Sequence, residues 1–370
     1  MRIIFYIIQK EFRQIFRDKV MLPIIIVIPM VQLLILSYTA TFELKNTLIS
    51  IVDHDHSVTS RELISKFKGS SFFTIVSFEE SYDSGIERIK SGETDQLLVI
   101  ESDTEKKLAR AEKTTVFLVT NAINGSAASL MNAYAVAIVT SFNQELIAET
   151  LPGIQTAAAI QTETRHWYNP RLDYKTYMVP GILVLLITLI GMFLSGMNIV
   201  KEKELGTIEQ INVTPIKKYQ FMIGKLLPFW IIAMFELIIG LGFARLVFGI
   251  AVEGNIALLL SIASVYLLVV LGIGLLVSTI SDTMQQAMFI SWFFLVIFIL
   301  MSGLFTPVES MPEWAQWINK INPISYFIQI NRMIMLKGSS FKDVAELFYA
   351  LCVYAVLILT FAVKRYKKVA

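Results

Sequence analysis

Two adjoining stretches of the sequence decide the fold. The first is YMVPGILVLLITLIGMFLSGMNIV, Tyr177 to Val200, which contains no charged residue, and the second is KEKELGTIEQINVTPIK, residues 201–217, which is rich in charge. A helix needs about 20 predominantly apolar residues to cross the hydrocarbon core of a bilayer, so the first stretch is a candidate transmembrane helix. The second stretch must then lie at a membrane surface.

The composition extends this interpretation to the whole chain. Its 370 residues are 55% hydrophobic and only 17% charged, which is typical of an integral membrane protein and too apolar for a soluble domain of this length. Six apolar runs approach or exceed the crossing length, and they are Val20–Tyr38, Tyr177–Val200, Leu226–Ile250, Ile256–Ile280, Ala287–Phe305 and Leu347–Val363. We therefore predict an α-helical polytopic membrane protein, and the basic residues at its membrane edges do not indicate nucleic-acid binding.

Lysine and arginine are concentrated in three segments, which the positive-inside rule assigns to the cytoplasm. Both termini are therefore predicted to be cytoplasmic, and the long segment between the first two spans external. The predicted organisation is an interfacial helix at 1–19, the first span at 20–41, an external α/β domain at 42–175, the second span at 176–200, a cytoplasmic segment at 201–225, the third to fifth spans at 226–305, an external connection at 306–345, and the sixth span with a basic tail at 346–370.

The N-terminal segment has the pattern of an amphipathic helix. Ile4, Ile8, Phe12 and Phe16 recur every four residues, and most of the basic residues fall on the opposite side. Such a helix lies in the membrane interface before the chain turns into the first span. The alternative is a plain cytosolic extension of that span.

The external segment alternates between strand and helix patterns, which favours a small α/β layer domain. Thr59 and Glu62 have the spacing of a capping box that opens the first of its helices. Strands are predicted at Thr47–Asp53, Phe72–Phe78, Gln96–Glu101 and Thr115–Thr120, and helices at Thr59–Phe67, Ser84–Lys90 and Ser126–Thr150.

The sequence Asp53-His54-Asp55-His56 carries the residue types of a metal site. In an extended chain the carboxylates point one way and the imidazoles the other, so few of these groups can share a metal ion. His54 and His56 are therefore weak candidates, with His166 as the remaining histidine. We favour a polar turn after the first strand and predict no metal.

No catalytic motif is found. The Gly224-Lys225 pair is followed by Leu226, so the chain lacks a phosphate-binding P-loop. Glu236 lies near the middle of the third span, where a carboxyl group is costly and is a functional candidate by default. The alternative is a carboxyl group that forms a hydrogen bond with a neighbouring helix.

The segment after the fifth span, residues 302–338, is too apolar for a water-exposed loop. Its prolines divide it into short helices, which we expect to re-enter the membrane from outside with tryptophans at the interface. The functional interpretation is a lid over an exit pathway, and the structural one is a plug between helices. The candidate lid residues are Gly303, Pro307, Pro312, Trp314 and Pro323.

Three stretches together carry a family resemblance. They are WYNPRLDYKTYMVPG from Trp167, KEKELGTIEQINVTPIKKYQFMIGKLLP from Lys201, and GLFTPVESMPEWAQWINKINPISYF from Gly303. With six spans and a large domain after the first, the chain resembles, over essentially its whole length, a permease of the type-2 exporter class of ATP-binding-cassette (ABC) transporters. The second stretch is the most specific, because E-K-E-x-G-T-x-E-Q followed by T-P and G-K is hard to match by chance.

The resemblance gives residues 201–217 a role. Leu205, Ile208 and Ile211 fall on one side of a short helix, and Thr214 with Pro215 is typical of the start of the next one. In the permeases that the chain resembles, this short helix rests on the ATPase subunit, whereas the plain alternative is a solvated loop. The implied coupling residues are Glu202, Glu204, Leu205, Gly206, Thr207, Ile208, Glu209 and Gln210.

The resemblance also implies partners and a location. We expect a permease in a bacterial inner membrane that works with an ABC ATPase subunit, a second permease copy as homodimer or heterodimer, and membrane lipid. ATP and Mg²⁺ belong to the ATPase, so the chain itself binds no cofactor, and its external domain either docks a periplasmic adaptor or shields the exit. The expected substrate is amphipathic, a drug-like molecule or a lipid. The alternatives are a membrane sensor with a ligand-binding ectodomain and a proton-driven transporter acting through Glu236.

Overall fold

The computed structural model describes residues 2–19, 21–39, 46–110, 112–150, 167–169, 173–207 and 216–365. The chain divides into two compact units. The membrane unit comprises residues 1–41 and 165–370, and the inserted domain comprises residues 42–164. Each unit has an apolar core of its own.

The described elements follow one another in the order of the predicted segments. In chain order they are α1 (Arg2–Arg17), α2 (Met21–Thr39), β1 (Thr47–Asp53), α3 (Val58–Gly69), β2 (Phe73–Glu79), α4 (Tyr82–Ser91), β3 (Gln96–Ile100), α5 (Thr104–Ala109), β4 (Val116–Thr120), α6 (Gly125–Thr150), α7 (Tyr174–Leu189), a π-helical turn (Ile190–Leu194), α8 (Ser195–Glu204), α9 (Lys218–Phe248), α10 (Ile256–Ile280), α11 (Met284–Met301), a 3-10 turn (Val308–Ser310), α12 (Glu313–Asn319), α13 (Pro323–Lys337) and α14 (Phe341–Arg365).

Six helical segments among the described residues are long and apolar enough to cross a membrane. They are α2, the continuous segment formed by α7, the π turn and α8, and then α9, α10, α11 and α14. The predicted six-span architecture is confirmed.

The second span is the central helix of the membrane unit. Of its apolar stretch, 83% is buried within the protein, against 50% or less for the other spans. Small residues allow this close packing: a Cβ atom on Gly196 would lie 3.0 Å from the carbonyl oxygen of Gly274 in α10. Buried hydroxyl groups of Thr188 and Tyr266 add a hydrogen bond between the same two spans.

Two helices begin well before the apolar runs that predicted them. α9 begins at Lys218 rather than Leu226, and α14 begins at Phe341 rather than Leu347. An apolar run measures only the length that suits hydrocarbon, whereas the backbone hydrogen bonds of a helix continue into the polar interface. Composition therefore finds these spans but misses their ends.

The inserted domain is built on a four-stranded mixed sheet with strand order β2-β1-β3-β4. β1 pairs in parallel with β2 and β3, while β4 pairs antiparallel with β3. α3 and α6 cover the face that carries Ile49, Ile51 and Leu98, and α4 covers the opposite face with Val52 and Leu97. The predicted α/β insertion between the first two spans is confirmed.

The predicted start of the first helix in this domain is wrong. α3 begins directly after Ser57, whose hydroxyl group accepts a hydrogen bond from the Ser60 amide at 3.0 Å. The hydroxyl group of Thr59, the predicted cap, instead donates to Glu105 of α5 at 3.1 Å. α5 itself was not predicted, because a helix of only six residues has too little periodicity to be recognised.

The contact between α8 and α10 gives a testable prediction. A Cβ atom on Gly274 would lie 2.7 Å from the backbone oxygen of Met192, so Gly274→Ala should destabilise the protein by about 1–3 kcal/mol through overpacking. Gly242 has no neighbouring atom within 4 Å of such a Cβ, so Gly242→Ala should be neutral or stabilising by up to about 1 kcal/mol. Thermal unfolding in nanodiscs compares the two variants, and equal melting temperatures would contradict the close contact.

Candidate functional site

The predicted coupling segment begins where the second span ends. α8 ends at Glu204, and Gly206 follows with a positive φ of 72°, a conformation that favours glycine. Thr207 donates a hydrogen bond back to the carbonyl oxygen of Glu202 at 3.2 Å. The remaining predicted residues, Ile208, Glu209 and Gln210 with the cap at Thr214 and Pro215, lie outside the described residues.

Glu202 points into the protein and joins a buried ionic cluster, which consists of Lys10, Glu11, Glu202 and Lys225. Lys225 Nζ lies 2.7 Å from Glu11 Oε1 and 2.8 Å from Glu202 Oε1. It also donates to Asn198 Oδ1 at 2.8 Å. Lys10 bonds to the same oxygen of Glu202 from the outer side and lies 3.2 Å from Glu11 Oε1.

The ionic cluster joins α1, α8 and α9 at one point. Its central groups are almost completely buried: the side chains of Glu11, Lys225 and Glu202 are 0%, 1% and 4% exposed. Two ammonium groups face two carboxylates, so the charges balance where burial makes an unpaired charge costly. Burial lowers the pKa of Lys10, but its contacts with Glu202 and Glu11 outweigh this and leave the pKa above the usual lysine value.

Sequence reasoning missed this cluster. It assigned Glu202 an outward contact, placed Lys10 on the polar side of the N-terminal helix, and gave Glu11 no role. One signal was available, because Lys225 is spaced four residues from Phe221 and Phe229 and therefore lies on an apolar helix face. Nothing in a single sequence indicates that Glu11 lies beside it.

The residues after Glu202 contact the start of the fifth span. Lys203 Nζ donates to the carbonyl oxygen of Ser281 at 3.0 Å and forms an ion pair with Asp282. Glu204 accepts a hydrogen bond from the Met284 amide at the first turn of α11, also at 3.0 Å. These bonds fix the end of the second span against a neighbouring helix, so the chain that follows starts from a defined point.

Leu205 is the first apolar residue of this segment, and it is exposed. Its side chain is 66% exposed. An exposed leucine beside a fixed, charged helix end has the chemistry of a small contact surface, in which the apolar side chain fills a cleft and the charges set the register, although many other apolar residues of the protein are also exposed. The geometry therefore fits attachment to another protein, and offers no arrangement for chemical catalysis.

Comparison with known proteins identifies the family of the chain. The model of the family described as "ABC-2 family transporter protein" matches residues 19–364. The chain belongs to the ABC-2 family of transporter permeases. As a permease it is not catalytic itself, and its ABC class implies an ATPase partner.

Curated relatives of this ABC-2 permease cover nearly its whole length. The "Probable multidrug ABC transporter permease YbhR" of Escherichia coli K12 is 32% identical over 334 residues, which is 90% of both chains. YbhS of the same strain, which has the same description, is 26% identical over 89% of this chain and 87% of its own. The "Inner membrane transport permease YhhJ" of that strain is 25% identical and covers 100% of this chain and 98% of its own.

In the ABC-2 permease, Glu236 lies on the inward face of α9. Its neighbours on this face, among them Ala233, Leu237 and Gly240, are buried, and Gly240 faces Leu183 of the second span. Glu236 is itself only 4% exposed. Neither carboxyl oxygen has a hydrogen-bond partner among the residues that the structure describes.

The predicted lid segment forms short helices, as its prolines suggested. Gly303 has a φ of 81° and ends the fifth span at Met301 instead of the predicted Phe305. Pro307 and Pro312 precede the 3-10 turn and α12, and Pro323 is the first residue of α13. The tryptophans Trp314 and Trp317 are exposed, whereas α13 is buried on one side.

The histidine cluster of the inserted domain forms a turn. The Asp53 carboxylate accepts hydrogen bonds from the amides of Asp55 and His56, both at 3.0 Å, and from the Ser60 hydroxyl at 2.8 Å. The His54 amide donates to Ile100 of β3. Across the described residues no group of three or more His, Cys, Asp or Glu side chains could hold a metal ion, and His166 lies outside them.

The ionic cluster predicts that replacement of Lys225 destabilises the protein strongly. Lys225→Met leaves Glu11 and Glu202 buried with only Lys10 nearby, so we expect a loss of about 3–5 kcal/mol in the free energy of unfolding. Lys203→Met is the control, because its partner Asp282 is 79% exposed and the pair contributes about 1 kcal/mol or less. Adding Glu11→Gln and Glu202→Gln to Lys225→Met should restore most of the stability. Equal melting temperatures for Lys225→Met and Lys203→Met would contradict a buried cluster.

Replacement of Glu236 should increase stability, in contrast to replacement of Lys225. Because its carboxyl group is buried without a partner among the described residues, Glu236→Met should raise the free energy of unfolding by about 1–3 kcal/mol. Unfolding of native and variant protein in nanodiscs measures the difference. A loss of stability would show instead that the carboxyl group has a partner, such as water or a second permease.

Proposed function

We propose that this ABC-2 permease is the membrane subunit of an ATP-driven exporter in a bacterial inner membrane, and that it moves an amphipathic drug-like molecule or lipid outward. The names of the relatives support this: YbhR and YbhS are described as probable multidrug ABC transporter permeases, and YhhJ as an inner membrane transport permease. Their similarity extends over at least 87% of each chain.

The single observation that carries the proposal is the position of Leu205. It is exposed directly beyond Glu202, which is held in the buried ionic cluster. In this proposal residues 202–210 form the coupling element, with Leu205 in a cleft of the ATPase and the charges of Glu204 and Glu209 setting the register. ATP and Mg²⁺ are bound by the ATPase, and this chain binds no cofactor.

The ionic cluster explains how movement at the coupling element reaches the spans. The coupling segment is enclosed between Glu202 at its start and Lys225 beyond its end, and these two residues form an ion pair with each other. A displacement of the segment by the ATPase therefore moves the ends of α8 and α9 together with α1. Rigid movement of packed helices is a common way to open a pathway.

A second permease completes the pathway in this proposal. Two ATPase subunits act on two permeases, either two copies of this chain or this chain with a similar one. YbhR and YbhS, two permeases of one strain that both resemble this chain, support the second arrangement. Glu236 lines the pathway, and the lid segment at residues 302–338 covers its outer end. The inserted domain is external and docks a periplasmic adaptor or shields the exit.

The test is association with an ABC ATPase encoded beside this permease. Leu205→Asp places a charge where the proposal requires an apolar anchor, so we expect association to weaken at least about tenfold, with loss of permease-dependent ATP hydrolysis in nanodiscs. The control is Val58→Asp, which changes another exposed apolar residue, on α3 of the inserted domain, and should leave association unchanged. Affinity purification followed by an ATPase assay measures both.

Two results would contradict the proposal. If the native permease associates with no ABC ATPase, the exporter assignment fails. If it associates and Leu205→Asp associates equally well, the ATPase contacts a different surface. The melting temperature of Leu205→Asp should stay close to that of the native protein, because Leu205 is 66% exposed.

A further inference from the structure

The membrane unit contains a cavity of about 720 Å³ that the proposed transport role does not by itself explain. It lies between the start of α7, the turn after α11, α12 and α13. The predicted lid residues Gly303 and Pro307 form part of its wall, so the cavity adjoins the segment at one end of the spans. A volume in this range suits a small molecule or the head group of a larger one.

A half-buried arginine forms one wall of this cavity. The guanidinium group of Arg332 donates to the carbonyl oxygens of Tyr177 at 3.2 Å, Gly303 at 2.8 Å and Leu304 at 3.2 Å. It also lies over the Tyr177 ring, 3.6 Å from the ring centroid. A guanidinium group has more N–H donors than these three bonds use, so further donors of Arg332 remain available.

The positive charge of Arg332 is not neutralised by any residue that the structure describes. Among the described residues no carboxylate lies within ion-pair distance of it, and the groups that it contacts are neutral carbonyls and an aromatic ring. Burial lowers its pKa, which reflects the cost of holding this charge away from water. A buried cation that is hydrogen-bonded but not neutralised is a strong attractor for an anion.

Two lysines add to the positive charge of the cavity. Lys320 lies over the Trp317 ring at 3.7 Å and Lys337 is 6.0 Å from the Tyr168 ring, and both line the cavity. Neither forms an ion pair with any residue in the described ranges. Among the described residues that line the cavity, Glu309 carries the single carboxylate, whereas Asp173 and Glu253 line an adjoining cavity that shares Tyr168 and Leu336. A concave surface with an excess of one charge concentrates ligands of the opposite charge.

The lining also offers apolar and aromatic surface. Tyr168, Met333 and Leu336 lie among the cationic groups. Tyr168 has a positive φ of 66°, which is rare for an aromatic residue, and such strained positions are concentrated at ligand sites. The cavity therefore combines charge for a head group with surface for the part of a molecule next to it.

We infer that this cavity binds the anionic head group of an amphipathic molecule, with phosphate or carboxylate oxygens between Arg332, Lys320 and Lys337. The apolar part of the ligand lies against Tyr168, Met333 and Leu336. This rests on the proposed function and makes it more specific, because it assigns a negative charge to the amphiphile that reaches this end of the spans. The ligand is either the transported molecule or an anionic membrane lipid, which share this chemistry.

The test uses a dansyl-labelled alkyl phosphate as the probe. The native full-length protein is placed in phosphatidylcholine nanodiscs, and binding is followed by energy transfer from tryptophan to dansyl. An alkyl trimethylammonium probe of equal chain length controls for partition into the bilayer. We expect saturable binding of the phosphate probe and only linear, non-saturable signal from the ammonium probe.

Variants distinguish binding in this cavity from non-specific attraction of the phosphate probe to positive charge on the protein. Lys320→Gln with Lys337→Gln should weaken phosphate binding by about tenfold or more, as expected for the loss of charge-assisted hydrogen bonds. Both lysines are exposed, so the double variant should fold normally. Arg332 is not replaced, because its loss would also leave three backbone carbonyl groups without their hydrogen-bond donor. Lys342→Gln is the control, because this exposed lysine of α14 does not line the cavity, and it should bind within about twofold of the native protein.

Replacing phosphatidylcholine by phosphatidylglycerol distinguishes the two sources of the ligand. Competition by phosphatidylglycerol supports a lipid occupant, and undiminished probe binding supports a free amphiphile. Equal binding of the two probes, or equal binding by the double variant and Lys342→Gln, would overturn the inference. ATPase association is measured on the same samples. If the protein binds the ATPase but not the phosphate probe, the inference about the cavity fails and the exporter proposal stands.

Discussion

The ion pairs of Lys225 hold α1, α8 and α9 together. The position of the proposed coupling element depends on them. Glu11, Glu202 and Lys225 are far apart in the sequence, and each would be costly to bury alone. They can be buried only together, so α1, α8 and α9 must meet at one point. The same requirement holds the two ends of the segment between Glu202 and Lys225 together as a fixed base. Leu205 comes directly after Lys203 and Glu204, which are bonded to the start of the fifth span, and it is exposed.

The second span connects this base to the opposite end of the membrane unit. At one end Glu202 lies in the ionic cluster, and at the other the carbonyl oxygens of Tyr177 and Pro180 accept hydrogen bonds from Arg332 and Asn331 of α13. Between them the helix is the most buried of the spans and is interrupted by a π-helical turn at Ile190–Leu194. Such turns are frequent at functional sites. One helix therefore joins the proposed coupling element to the proposed lid by polar bonds at both ends.

Sequence patterns predicted the elements that depend on local properties. The length of apolar runs found all six spans, and β1 was predicted with its observed bounds, because both signals repeat along the chain. The ends of α9 and α14 and the cap of α3 depend on which polar group finds a partner, and Thr59 found Glu105 instead of its own helix. The ionic cluster and the cavity at Arg332 depend on contacts between distant segments. The apolar spacing around Lys225 is the one periodic signal that the sequence gives for them, and it identifies no partner, so they required the structure.

α9 carries two buried ionisable residues, Lys225 and Glu236. They differ in whether they have bonding partners, and this difference is relevant to function. Lys225 is bonded to two carboxylates and an amide oxygen, as expected of a residue that holds helices together. Glu236, three turns further along the same face, has no such bond to any described residue. The structural interpretation of Glu236 required a hydrogen bond to a neighbouring helix, and none is found in the described part of the chain. A buried carboxyl group without a hydrogen-bond partner among the described residues fits our proposal that Glu236 lines the transport pathway, where stability is commonly traded for activity.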